Sequence, residues 1–341
     1  MTAPITIDDG LEPPPPAAPY FDAARGVWVL SRYADVLAAF RDSRLLPVSS
    51  GGEDHGNARD DRGSLLERGA VRDGLSTSNL AEWQRQMAGL ADATLERLPT
   101  DRPVDLLQEF AKPWCMSLAL MVTGAGESDR KQLGELGDNV FSGTGEPKQS
   151  PQKLAAAAAV AELESYFQTS PVPMAQPTFV GVSQTLPRLL VNGWLALFRH
   201  PAEVARLRTE PELMSHAVEE LLRYAGIIPR LFRKARVDAD LGVVKIAAGE
   251  RADLMIASAN RDPEKFPAPA LLDVSRRATG QLALGIGHNS CAGARLIRMA
   301  NGVAIGSLLK TFGDVTVTGA VQWRTGSGFC WPASVHFSLR R

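Results

Sequence analysis

The stretch LALGIGHNSCAGARLIRMA, residues 282–300, decides the reading of this 341-residue chain. Cys291 ends a loop punctuated by Gly285 and Gly287, and Gly293 follows where a helix is expected to open. Glycines there let the backbone turn tightly and let a flat ligand approach it closely. A helix N-terminus behind Cys291 offers N–H groups without intrahelical partners and the positive end of a dipole. Both favour thiolate over thiol. A thiolate held this way suits the proximal ligation of a haem iron, where its electron push favours O–O cleavage. The cysteine alone fits a plain buried thiol at a loop–helix junction as well, because free cysteines commonly serve as small hydrophobes.

The upstream sequence shifts the balance. AVEELLRY (217–224) puts Glu220 and Arg223 three residues apart on one helix face, within reach of each other. There follow, in order, FRKARVDADLGVVKIAAGE (232–250), ASANRDPEKF (257–266), LLDVSRR (271–277) and the Cys291 loop. This ordered series resembles the C-terminal half of cytochrome P450, most strongly from Val191 to Phe312. The likeness continues more weakly through VWVLSRYADVLAAFRD (27–42) and RGAVRDGLSTSNL (68–80).

The resemblance implies a mainly α fold with a small β part, the triangular P450 fold, with haem b (iron protoporphyrin IX) between two helices. It implies one haem domain over residues 20–341 behind a Pro-rich arm at 1–19. Residue by residue, Cys291 matches the axial thiolate and the iron ligand. Glu220 and Arg223 match a structural ExxR pair, and Arg276 the arginine that joins it. Arg233 matches a propionate-binding arginine, and Arg68 the arginine of the helix crossing the haem edge. Leu284, Gly285, Asn289 and Gly293 fall in the cofactor-binding loop. Thr185 and Gln184 match the catalytic alcohol and acid positions of the long distal helix.

Composition agrees with such a protein. Lys plus Arg number 37 against 38 Asp plus Glu, and no basic stripe marks a nucleic-acid surface. No run of 18 apolar residues spans a membrane. The start MTAPITIDDG lacks a signal-peptide pattern. Cys115, Cys291 and Cys330 are three in number and far apart, so neither a disulfide framework nor a zinc site is expected. A reducing, cytoplasmic setting fits.

Periodicity predicts a strand at Val27–Leu30, a helix carrying Val36, Leu37 and Phe40, and a polar loop at 47–63. Helices are expected within 65–98 (Ser78 as N-cap), 104–121, 128–141, 153–167, 186–198, 201–208, 212–224 and 292–312. Short strands are expected within 232–258 and a terminal hairpin after 314. Pro171, Pro173 and Pro177 predict that residues 168–182 cannot form one straight helix.

Several positions depart from the family pattern. Leu284 replaces a Phe beside the thiolate. Asn289 replaces a His or Arg that contacts a propionate, and His288 sits one residue early. Gln281 and Ser64 replace histidines. Neutral hydrogen bonds are about half as strong as charge-assisted ones, so weak haem retention is expected.

On the distal side, Gly181-Val182-Ser183-Gln184-Thr185 puts Gln184 where an acid is usual. A glutamine holds a water but cannot shuttle a proton. Thr185 has a second reading, as the N-cap of a helix beginning at Leu186, with Pro187 in its first turn. The broken stretch before Gln184 implies a shortened distal region.

The function implied is a haem-thiolate monooxygenase acting on a small hydrophobic or carrier-bound metabolite. Its electrons would come from a separate ferredoxin and ferredoxin reductase. Two alternatives stay open. One is a haem-thiolate enzyme without reductive O₂ activation: peroxide-dependent, or catalysing dehydration, isomerisation or group transfer. The other is a non-catalytic P450-like auxiliary protein, against which the retained Cys291 argues.

Overall fold

The computed structural model describes residues 13–48, 77–144, 146, 149–172, 175–287, 290–326 and 329–341. The expectations placed on Arg68, Ser64, His288, Asn289 and most of the 47–63 loop lie outside these residues. The chain opens with β1 (Tyr20–Asp22), β2 (Val27–Leu30), α1 (Tyr33–Arg41) and β3 (Leu45–Val48). A helical run follows: α2 (Thr77–Leu95), α3 (Lys112–Thr123), α4 (Arg130–Ser142), α5 (Pro151–Phe167), α6 (Ala175–Val180) and α7 (Leu186–Phe198). Next come α8 (Pro201–Thr209), α9 (Met214–Tyr224), β4 (Leu231–Ala235), β5 (Ala239–Asp240), β6 (Lys245–Ile246), β7 (Arg251–Leu254) and α10 (Ile256–Ala259). The chain ends in α11 (Ala294–Thr311) and the paired strands β8 (Asp314–Gly326) and β9 (Phe329–Arg340).

These elements gather into two compact units. The first comprises residues 1–65, 199–291 and 328–330, and the second 66–198, 292–327 and 331–341.

The first unit is built on a sheet of order β1-β2-β7-β4-β3. Only β2 and β7 run parallel, with Val27 opposite Arg251 and Leu30 opposite Leu254. The apolar, β-branched VWVL stretch suits a strand, and Val27, Val29 and Leu30 are buried. Leu30, Leu45 and Leu254 join Val36 and Phe40 of α1, and Leu282 of the cysteine loop, in one apolar cluster. Each such side chain contributes about 1.5–3 kcal/mol on burial. The Pro-rich arm is tied down at Ala17, whose N–H donates to Ser31 Oγ at 2.8 Å.

The second unit is helical, with β8 and most of β9. Phe110, in the π-turn Leu107–Ala111 ahead of α3, stacks on Trp114 and Trp194 at 5.7 and 5.4 Å. The alanine-rich α5 starts at an N-cap: Ser150 Oγ accepts from the Lys153 N–H at 3.1 Å. Ser78 has no such place, because α2 already includes Thr77.

Residues 168–172 are turns, so 168–182 do not form one straight helix, as the prolines predict; the stretch just before Gln184 is less broken than expected. Helix resumes at Ala175 and continues through a π-turn, Gly181–Thr185, into α7. Pro177 stands in the first turn, where a backbone N–H has no intrahelical partner to lose. At Pro187 the ladder slips instead of stopping: the Leu186 N–H closes on the Gly181 carbonyl, five residues back. Thr185 is therefore inside a helical run and is not an N-cap. The connection from α5 to α6 carries no helix among its described residues. No helix among the described residues is long and apolar enough to cross a membrane.

Candidate functional site

The cysteine loop belongs to the first unit. Gly285 and Gly287 adopt φ of +67° and +79°, left-handed values that suit only glycine well. Space forces the choice further at Gly287, where a Cβ would stand 3.0 Å from the Phe40 carbonyl oxygen. The loop is laced by its own backbone. The Gly285 N–H donates to the Leu282 carbonyl at 3.0 Å, Ser290 to Gly287 at 3.2 Å, and Cys291 to Leu284 at 2.8 Å. Leu284 and Cys291 are half-buried, and Cys291 forms no disulfide. Gly293 is the N-cap residue of α11, and its carbonyl accepts the Ile297 N–H at 2.9 Å. Gln281 is engaged locally: its Nε2 donates to Glu219 Oε2 at 3.2 Å, and its Oε1 accepts from the Ala283 N–H at 2.7 Å.

Behind the loop lies a buried ionic network. Arg223 forks onto Glu220 at 2.7 and 2.8 Å, and both side chains are fully buried. Arg223 also donates to the carbonyls of Asn260 and Pro269 at 2.8 and 2.9 Å. Arg276 reaches Glu220 Oε1 at 3.0 Å and the Pro267 carbonyl at 2.6 Å. A single carboxylate thus holds two arginines that between them grip the backbone of residues 260–271.

Arg233, on β4, is the odd cation. It is 4% exposed, and no carboxylate among the described residues reaches it. It donates to the Phe232 carbonyl at 3.0 Å, and its guanidinium lies 5.3 Å from the Phe40 ring centroid. Burial pushes its pKa down to about 10. A buried cation without a carboxylate is costly, and an anionic ligand group relieves that cost.

Gln184 and Thr185, expected from sequence on the distal helix, belong to the second unit. Gln184 is 3% exposed, while Thr185 is half-buried. The Ser183 hydroxyl is buried without a hydrogen-bond partner.

Three contributors were not singled out from sequence. Asn260 Oδ1 accepts the Leu282 N–H at 2.8 Å and so ties the cysteine loop to the ionic network. The Tyr33 hydroxyl donates to the Gly280 carbonyl at 2.8 Å. Arg188, on α7, donates to Gln184. The stretch NRDP marked Asn260; nothing in the local pattern marked the other two.

The cytochrome P450 family model matches residues 205–322. The vitamin D(3) 25-hydroxylase of Pseudonocardia autotrophica is 30% identical over 324 residues, covering 83% of this chain and 79% of that protein. The polyketide biosynthesis cytochrome P450 PksS of Bacillus subtilis is 26% identical, over 89% and 87% of the two chains. Among solved structures, P450BioI in complex with hexadec-9Z-enoic acid ligated acyl carrier protein superposes with a TM-score of 0.82. It is 22% identical, with 92% of each chain covered. CYP109B1 of Bacillus subtilis gives 0.82 at 24% identity, over 94% and 95%. With the fold and a relative matched along most of both chains, this chain belongs to the cytochrome P450 family, the haem-thiolate monooxygenases that carry haem b.

Proposed function

We propose that Cys291 is the thiolate ligand of the haem iron and that Arg233 pairs with a haem propionate. The observation that carries this reading is Phe40. Its carbonyl closes over Gly287 of the cysteine loop, and its ring lies beneath the Arg233 guanidinium. One residue thus adjoins both the cysteine loop and Arg233, and the cation beside it lacks a carboxylate among the described residues. These residues fit the cofactor: a soft sulfur donor for iron and a desolvated positive charge for a carboxylate. By resemblance, Arg68 and Asn289 add propionate contacts, and Leu284 stands near the thiolate.

When bound, the haem supplies dioxygen activation and oxygen insertion. The rest is this chain's work. The Leu284–Cys291 backbone bond and the left-handed glycines fix the loop that presents the thiolate. Glu220, Arg223 and Arg276 hold the segment leading to it. On the distal helix, Gln184 offers an amide without a titratable proton, and Thr185 offers a hydroxyl. Proton supply then runs through water and not through a side-chain acid.

The substrate reading is a small hydrophobic or carrier-bound metabolite, with electrons from a separate ferredoxin and its reductase. Two similar proteins support it: one is a vitamin D(3) 25-hydroxylase, and P450BioI is seen in complex with an acyl carrier protein ligated to hexadec-9Z-enoic acid. Gln184 in the acid's position favours a second reading, haem-thiolate chemistry without reductive O₂ activation.

One experiment separates them. The purified protein is given free and carrier-bound acyl substrates, with and without NADPH, a surrogate ferredoxin and its reductase. Product only with the full electron supply supports the monooxygenase reading. Product from the isolated protein without any electron source defeats it.

A further inference from the structure

Arg188, in the second unit, is a second buried cation that no carboxylate among the described residues pairs, and none of the proposed haem contacts uses it. It is 7% exposed. Its guanidinium carbon lies 3.8 Å from the Phe141 ring centroid and 5.6 Å from that of Trp331. Its Nη1 donates both to the main-chain carbonyl of Gln184 and, at 3.3 Å, to Gln184 Oε1. Its Nε is buried without a partner.

The far side of the Gln184 amide is closed as well. A Cβ on Gly137 of α4 would stand 2.8 Å from Gln184 Nε2. The amide therefore sits in a slot, with the guanidinium at its oxygen and the bare Gly137 backbone at its nitrogen. A guanidinium has donors only, so reversing the amide would set N–H against N–H. Charge fixes which way Gln184 points.

We propose that Arg188 is a positioning residue that locks the Gln184 side chain in the π-turn, so that this turn carries a fixed neutral amide and any acid placed there is held ionised. This rests on the reading of Gln184 as the residue at the distal acid position. The interaction is also of a kind that survives the irregular backbone. Pro187 gives the ladder no N–H, and the Arg188 side chain bonds the Gln184 carbonyl beside that gap.

The charged neighbours are few. Asp138 of α4 favours the Arg188 charge, and Arg324 of β8 opposes it. Lys112 of α3 is taken up by Asp138 at 3.7 Å. A Glu at position 184 would therefore meet Arg188 first. Its folded pKa would be depressed, and the stability it adds would be present above the unfolded value, about 4.3, and lost as pH falls below it. With Arg188 replaced by Met, which keeps the volume over Phe141, the same Glu is desolvated. Its folded pKa is then raised, and stability is lost as pH rises from about 4.3 towards that value.

The test measures melting temperature against pH for Gln184→Glu relative to wild type, and for Gln184→Glu/Arg188→Met relative to Arg188→Met, all as holoprotein. The expected result is opposite slopes for the two pairs. Parallel curves overturn the proposal. Should the Glu variants fail to fold, Gly137→Ala is measured in the wild-type and Arg188→Met backgrounds. A methyl that drives out a locked amide lowers the melting temperature by at least ~2 °C more in wild type than in Arg188→Met; equal losses refute the lock. Neither measurement uses turnover. Gln184→Ala and Thr185→Ala proteins with unchanged turnover and unchanged product per electron would instead sink the distal reading alone.

Discussion

The Arg233 guanidinium lies 5.3 Å from the ring centroid of Phe40, and no carboxylate among the described residues answers its charge. An interior cation of this kind costs the empty fold stability that a bound carboxylate returns. Arg233→Met is therefore expected to leave the apoprotein as stable as wild type or more so. The same substitution is expected to speed haem transfer to an apo-globin acceptor at least several-fold. Thermal melts of apoprotein and transfer kinetics of holoprotein check the two signs separately. Unchanged transfer would mean that Arg233 does not hold a propionate.

Glu220 behaves in the opposite way, because its charge is answered twice. Glu220→Gln leaves Arg223 buried with a neutral partner and takes from Arg276 its carboxylate partner. Breaking such a pair costs about 3–5 kcal/mol. Arg276→Gln is expected to cost less, because its side chain is 13% exposed and Arg223 remains paired. Denaturant melts that rank the two substitutions the other way would contradict the network drawn here.

The three cysteines are expected to differ in reactivity. Burial raises the Cys115 thiol well above its ordinary value and pushes Cys330 up to about 11. At pH 8 only ~0.1% of Cys330 is thiolate. Native protein treated with iodoacetamide at that pH should spare both, and the unfolded chain should label at all three. Cys291 should label in apoprotein and be protected in holoprotein. Labelling of Cys291 at equal rates in the two forms would argue against ligation.

Two hydroxyls test the correction at the helical run through Thr185. Ser150 caps α5, so Ser150→Ala should lose about 0.5–2 kcal/mol. Thr185 lies within a continuous helical run, so Thr185→Ala should show no cap loss. Equal losses on melting would restore the capping reading of Thr185.

Much of this protein is legible in its sequence because its signals are local. VWVL forms the second strand of the sheet, and the glycine spacing of 285–287 forms the left-handed loop. Glu220 and Arg223, three apart, form their pair on one helix. The helix through 181–185 was hidden for a different reason. Pro177 reads as a breaker and Pro187 as the first turn of a new helix, yet Pro177 itself falls in a first turn and Pro187 follows a register slip that only the backbone reveals. Arg188 was hidden because its partners, Phe141, Trp331 and Gln184, come from three separate parts of the chain. Gly137 carries no local signal, because what needs its bare backbone is the Gln184 amide from another helix.

The central claim is that Cys291 presents the thiolate to iron. The most direct measurement is the absorption spectrum of reduced, CO-treated holoprotein, compared with Cys291→Ser, Cys115→Ser and Cys330→Ser. The account predicts the strongly red-shifted Soret band of thiolate ligation in wild type and in the Cys115 and Cys330 variants, and its loss in Cys291→Ser alone. Retention of that band by Cys291→Ser would contradict it.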